Sequence, residues 1–259
     1  MEIITLEKMK LKIPKSIAFY VFSAFVLAEI IIYIIYQTYD FAYGTNLIYL
    51  KYAGILTCLA FAAVGIYFYA KDGIVVTVAL VFTAISDLFI LVLNKYFEVG
   101  ICTFTLTQIV HLIRIYLING KKPWISLGVR LGVVAALLAV LGGLGMLNSA
   151  VVVLAVIYFP QLLINTIESG LLIKIDKKYI LLFVGLLLFT VCDICVGVDN
   201  MGGINGNAND ATLGLNISEG LKNFVHSTIW TVYLPAQVCI VLSEKKTEYR
   251  PFFKNTSVK

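Results

Sequence analysis

The chain has 259 residues, a formal net charge of +5, 60% hydrophobic residues and only 14% charged ones. Soluble domains carry about 25% charged residues, and here the apolar residues come in long runs, with a mean hydropathy of +0.94. This excludes a soluble enzyme, a disordered chain and a disulfide-framed secreted module. The positive charge does not signal nucleic acid, because the basic residues sit in short loops and tails. Cys58, Cys102, Cys192, Cys195 and Cys239 all lie in apolar runs and read as small buried hydrophobes.

A spanning helix needs about 20 apolar residues. In chain order, segments 16–36, 47–70, 73–93, 98–118, 124–147, 149–173, 178–198 and 222–243 meet that length. No alternating strand-length segments of barrel type occur. The expected fold is an all-α, polytopic membrane bundle of eight transmembrane helices. Lys8, Lys10, Lys12 and Lys15 precede the first span like a signal-peptide head. Its apolar stretch is too long for one, so it reads as a retained anchor.

Eight spans put both ends of the chain on one side, and basic residues choose the side. One face collects 17 of the 20 Lys and Arg residues, counting Arg114 and Arg130 near its loops; the other has only Lys51, Lys95 and Lys222. Both termini are therefore expected in the cytoplasm, and the expected location is a bacterial inner (plasma) membrane. The organisation reads as a basic N-tail over 1–15, one transmembrane domain over 16–243 and a C-tail over 244–259. An outer Gly/Asn-rich loop spans 199–221 and holds an Asn216-Ile217-Ser218 acceptor pattern. It reads as a linker. Gly142, Gly143 and Gly145 are expected to pack span five closely, and Gly128 and Gly132 form a GxxxG.

An acid at the centre of a spanning helix costs about 2.5–3.5 kcal/mol on insertion scales, so it needs a partner, a proton or a wet cavity. Glu29, Asp87, Glu168 and Asp193 are such acids. At about 1.5 Å rise per residue, Asp87 and Asp193 both lie about 21 Å from the cytoplasmic start of their spans. Glu29, Lys51 and His226 share that outer layer; His111, Gln237 and Asn165 lie about 10 Å deeper. Gln161, Asn165 and Glu168 line one face of span six, Gln108 and His111 one face of span four, and Tyr233 and Gln237 one face of span eight. Two polar layers imply an elongated cavity. A structural role as interhelical glue is equally open for the amides; Asp87 and Asp193 read as functional.

With two histidines a His₃ zinc site is impossible, and the Cys192–Cys195 CxxC stands alone in mid-helix. No nucleophile elbow, Walker A or H-E-x-x-H motif occurs. No metal and no cofactor is expected.

The order of motifs is more specific than any one of them. Leu50-Lys51-Tyr52 opens span two; Phe82-Thr83-Ala84-Ile85-Ser86-Asp87 lies in span three; Val110-His111-Leu112-Ile113-Arg114 lies in span four. Span seven runs from Gly185 through Phe189 to Cys192-Asp193, and span eight holds Tyr233-Leu234-Pro235-Ala236-Gln237. From Leu47 to Leu242 this order resembles the YhhN-type lysoplasmalogenase family of eight-span membrane proteins. Arg114 stands where that family usually has Tyr, and Cys192 where it has Ser. The resemblance implies hydrolysis of the vinyl ether bond of a lysoplasmalogen-like lysolipid. Asp87 and Asp193 would share the acid/base work, a design that recurs where two carboxyls hold different protonation states. Lys51 would meet the head-group phosphate as a point charge. His111, Tyr233 and Gln237 would bind substrate or position water, with Glu29, Asn165 and His226 as further candidates. A proton- or ion-coupled transporter would use the same acids as a relay, and a non-catalytic receptor or scaffold is a third reading.

Overall fold

The computed structural model describes residues 15–43, 47–120, 124–201 and 218–244. Among them there is no strand. The helices are α1 (Lys15–Tyr43), α2 (Ile48–Tyr69), α3 (Lys71–Asp87), α4 (Phe97–Asn119), α5 (Trp124–Gly143), α6 (Ala150–Leu172), α7 (Ile180–Met201) and α8 (Glu219–Leu242). A π turn, Leu88–Val92, extends α3, and a 3₁₀ turn, Lys177–Tyr179, leads into α7. Eight helical stretches are long and apolar enough to cross a membrane. The eight expected spans are thus present, with shifted ends. The first continues to Tyr43, well beyond residue 36, and the fifth stops at Gly143.

α7 also runs through Asp199 to Met201, and Ser218 caps α8 by accepting from Leu221 N at 3.3 Å. The expected outer loop therefore shrinks at both ends. Its remainder, with Asn216, lies outside the described residues, as do Lys8, Lys10, Lys12 and the C-tail beyond Glu244. Lys15, placed in the N-tail by sequence, begins α1.

The core is built by α2, α3, α4, α6, α7 and α8, with α7 against α8, α2 against α3, and α4 against both α3 and α6. α1 and α5 are peripheral: 11% and 6% of their most apolar windows are buried. Their exposed side chains are apolar, including Phe19, Leu27 and Ile31 on α1 and Ile125, Leu131 and Val140 on α5. That surface suits lipid.

Small residues allow the tightest helix approaches. A Cβ on Gly185 would lie 2.9 Å from Ala236 O of α8. At the α2–α3 turn, a Cβ on Gly73 would lie 2.7 Å from the Gly65 backbone. Only Ala70 separates these two helices, at φ 52°, a conformation that favours glycine. The span-five glycines behave otherwise. Gly128, Gly132 and Gly143 face open space, and Gly142 meets only Leu147 beyond its own helix. Among the described residues, the close packing expected of that span is not made.

Candidate functional site

Two faces of the bundle can be told apart. The basic face carries the α2–α3 turn, the start of α5, the end of α6 with Lys174, and the Lys177–Lys178 turn. The opposite face carries the start of α2, the π turn and the start of α8.

Asp87 is the last residue of α3, just before the π turn in which Leu93 N bonds Leu88 O at 2.9 Å. Such turns are frequent at functional sites. Ser86 Oγ donates to Gly100 O at 2.6 Å and fastens this point to α4. Asp87 is only 2% exposed, and Tyr233 Oη of α8 donates to its Oδ2 at 2.6 Å. Asp193, half-buried on α7, accepts from Tyr158 Oη of α6. Among the described residues no salt bridge reaches either carboxyl.

An aromatic run joins the two tyrosines. Ring centres are 6.0 Å apart for Tyr158 and Phe104, 5.6 Å for Phe104 and Phe189, and 5.8 Å for Phe189 and Tyr233. Phe189 lies one helical turn before Asp193. Cys192 Sγ donates to Ile229 O at 3.8 Å, tying α7 to α8 beside the acid. Cys192 and Cys195 are buried, whereas Cys102 is exposed on the lipid side, contrary to the sequence reading.

The other candidates separate. His111 and Gln237 are buried, and each keeps a nitrogen without a partner: Nδ1 of His111 and Nε2 of Gln237. Glu29 of α1 accepts from Thr57 Oγ1 and from Cys58 Sγ, the latter at 3.5 Å; both donors are on α2. Lys51 is not a free point charge. Its Nζ lies 2.5 Å from Asp40 Oδ2 and 3.9 Å from the centre of the Trp230 ring, with the side chain buried. Asp40 reaches it because α1 continues past the expected end of span one. His226 is 58% exposed, with Nδ1 3.8 Å from Asp199 Oδ2, and does not join the buried layer in which its depth placed it.

Arg114 and Arg130 read from sequence as loop-flanking residues, yet both are buried in the spans. Arg114 Nε and Nη2 take Asp72 Oδ1 and Oδ2 at 2.8 and 2.9 Å, while Nη1 donates to Ser243 Oγ at 2.8 Å. Arg130 Nη2 lies 2.6 Å from Glu168 Oε2 and donates to Asn165 Oδ1 at 3.0 Å; Nη1 reaches Gln161 Oε1 at 3.2 Å. The inward stripe of α6 thus exists and converges on a cation of α5. Tyr158 begins the same stripe at i−3 from Gln161, and extending the stripe one turn would have found it.

Just beyond α8, Glu244 is buried against Gly65, with both carboxyl oxygens unpartnered. Burial pushes this carboxyl up to about 9; the nearby Arg114 pulls it down and Asp72 pushes it further up.

Eight helices apolar and long enough to span a membrane define a multi-pass α-helical membrane protein, and two of its intramembrane carboxyls, Asp87 and Asp193, are each held by a tyrosine hydroxyl. The chain belongs to the YhhN family, whose model matches residues 46–244. No curated protein and no solved structure matched it.

Proposed function

We propose that this chain is an integral membrane hydrolase that cleaves the vinyl ether bond of a single-chain, lysoplasmalogen-like lipid. One observation carries the reading: Asp87 and Asp193 are each held by a tyrosine hydroxyl and not by a cation, and the two tyrosines are joined by one aromatic run. A carboxyl fixed by an arginine is committed to its charge, whereas one that holds a hydroxyl can exchange a proton. Family membership supports the substrate class.

One carboxylic acid delivers its proton to the vinyl carbon remote from oxygen. The C=C electron pair forms the new C–H bond and leaves an oxocarbenium ion. Water adds to the cation as its proton passes to the second carboxylate. The hemiacetal collapses to a fatty aldehyde and a glycerophospho-base. One water is consumed, and proton exchange between the carboxyls resets the site. His111 Nδ1 and Gln237 Nε2 are free to order the water. Lys51 meets the phosphate only by leaving Asp40, so the head group lies near that pair. The cytoplasmic placement of both termini and the inner membrane remain part of this proposal. Cysteine labelling of the C-tail from outside intact cells would refute that topology.

The test is turnover by purified protein on lysoplasmalogen, ester lysophospholipid and alkyl-ether lysolipid. Aldehyde release from the first alone supports the reading. Ion or proton movement in liposomes with no hydrolysis would replace it with the relay of a transporter.

A further inference from the structure

Arg130 does more than attach α5. A guanidinium only donates hydrogen bonds, so the Asn165 oxygen must face it, as the Nη2–Oδ1 contact at 3.0 Å records. Asn165 Nδ2 is thereby turned away, and it donates to Gln108 Oε1 at 3.0 Å. Gln108 is oriented in its turn. Its oxygen is taken, and its Nε2, which makes no hydrogen bond, is left as the free end of the run on the side of Tyr158. Tyr158 Oη then donates to Asp193 Oδ2. The amide donors all point one way, from a fixed cation on α5 through α6 to α4, where the hydrogen-bonded run ends at Gln108 Nε2; Tyr158 then makes the last bond, to Asp193 on α7. Asn165 and Gln108 are wholly buried. At these two buried amides the local dielectric is low, so the aligned dipoles act electrostatically on the Tyr158 hydroxyl across the gap and, through it, on Asp193.

Asp87 has no counterpart to this chain. Tyr233 donates to it, and among the described residues no hydrogen-bonded run of amides leads from a cation toward that hydroxyl; the buried Lys51 behind it is spent on Asp40 and the Trp230 ring.

We propose that the two aspartates are divided by this asymmetry: Asp193 is the carboxylate that steadies the oxocarbenium ion and takes the proton of water, Asp87 is the acid, and Arg130, Asn165 and Gln108 are positioning residues that act through Tyr158. The assignment rests on the hydrolase reading for its chemistry, but the protonation states can be measured without turnover. The experiment is infrared spectroscopy of the full chain in detergent near neutral pH, reading the C=O stretch of protonated carboxyls. Asp87→Asn should lose one carboxyl's intensity and Asp193→Asn none. Asn165→Leu should gain one, because the chain to Asp193 is cut. Tyr158→Phe removes only the terminal hydroxyl, preserves packing, and should gain the same intensity. Loss in Asp193→Asn with none in Asp87→Asn would reverse the assignment; no gain in Tyr158→Phe would remove the positioning role.

Kinetics give the second arm. Tyr158→Phe and Asn165→Leu should lower kcat about 10-fold or more with KM unchanged, and should move the acid limb of the rate profile to higher pH while leaving the alkaline limb in place. Movement of the alkaline limb alone would overturn the inference. If the wild-type protein cleaves none of the three lipids, the hydrolase reading falls, and the infrared result still decides the division of the pair.

Discussion

Toward the basic face, Asp72 is gripped on both oxygens by Arg114, and Glu168 is held on one oxygen by Arg130 and on the other by the hydroxyls of Tyr116 and Ser126. From the middle of the bundle to the opposite face, Glu29 meets Thr57, Asp87 meets Tyr233 and Asp193 meets Tyr158. The same residue type is thus given two kinds of partner. An arginine fixes a carboxylate in charge and place and makes it a fastening between helices. A hydroxyl fixes the place and leaves the proton free to move. The cost of an acid in lipid is met by either partner, but only an acid held by a hydroxyl alone stays fit for proton chemistry.

Removing a hydroxyl-held acid should affect turnover most. Asp87→Asn and Asp193→Asn should each lower kcat by about 10²–10⁴-fold, the range of a general acid or base, with the thermal midpoint in detergent nearly unchanged. Retained activity in both variants would break the comparison at its centre.

The arginine-held acids should respond in the opposite sense. Arg114→Met leaves Asp72 buried without its cation and should cost about 3–5 kcal/mol of stability. Asp72→Leu combined with Arg114→Met should recover most of that loss, as read by unfolding of the two variants. A double variant as unstable as the single one would mean that the pair is not a self-contained fastening.

A smaller effect sharpens the hydroxyl side. Tyr233→Phe removes the one hydroxyl donor at Asp87. A hydrogen bond to a charged group is worth about 1.5–3 kcal/mol, so turnover should fall about 10- to 100-fold while KM changes little. An unchanged kcat would detach Tyr233 from the site.

The smallest effect concerns Glu244, which has neither kind of partner. Its folded value of about 9 lies above the ordinary 4.5. The folded state therefore binds a proton that the unfolded state releases. This contribution to stability is complete below about 4.5 and is lost as pH rises toward about 9. Glu244→Gln should lack that loss. Its stability relative to the wild type should rise by at least about 1 kcal/mol from mildly acidic to alkaline buffer, and a pH-independent difference would contradict this.

The spans were legible because lipid demands long apolar runs. The acids were legible because those runs make any charge conspicuous. Partnership was harder to see. Arg114 and Arg130 lie close enough to helix ends to pass as loop charges, and only the rotation of α4 and α5 turns them inward. Rotation also decides His226, whose depth matched the buried layer while its direction did not. Lys51 read as a free cation because Asp40 lies in the tail of α1, past the apolar run that marked the span. The π turn after Asp87 left no mark in the pattern, because its residues are as apolar as those of any α-helical turn.

The turn at Ala70 sets a length that the chain has little freedom to change. Loops between elements generally tolerate insertions. Here a single residue at φ 52° joins α2 to α3, and Gly65 and Gly73 bring the two backbones together beside it. From that hinge the helices climb in parallel, so Lys51 and Asp87 arrive at nearly the same height on adjacent helices. One added residue would advance α3 by about 1.5 Å and swing it about 100°, turning Asp87 from Tyr233 toward the acyl chains. The turn works as a gauge, and among functional relatives of this chain its length should vary less than its composition.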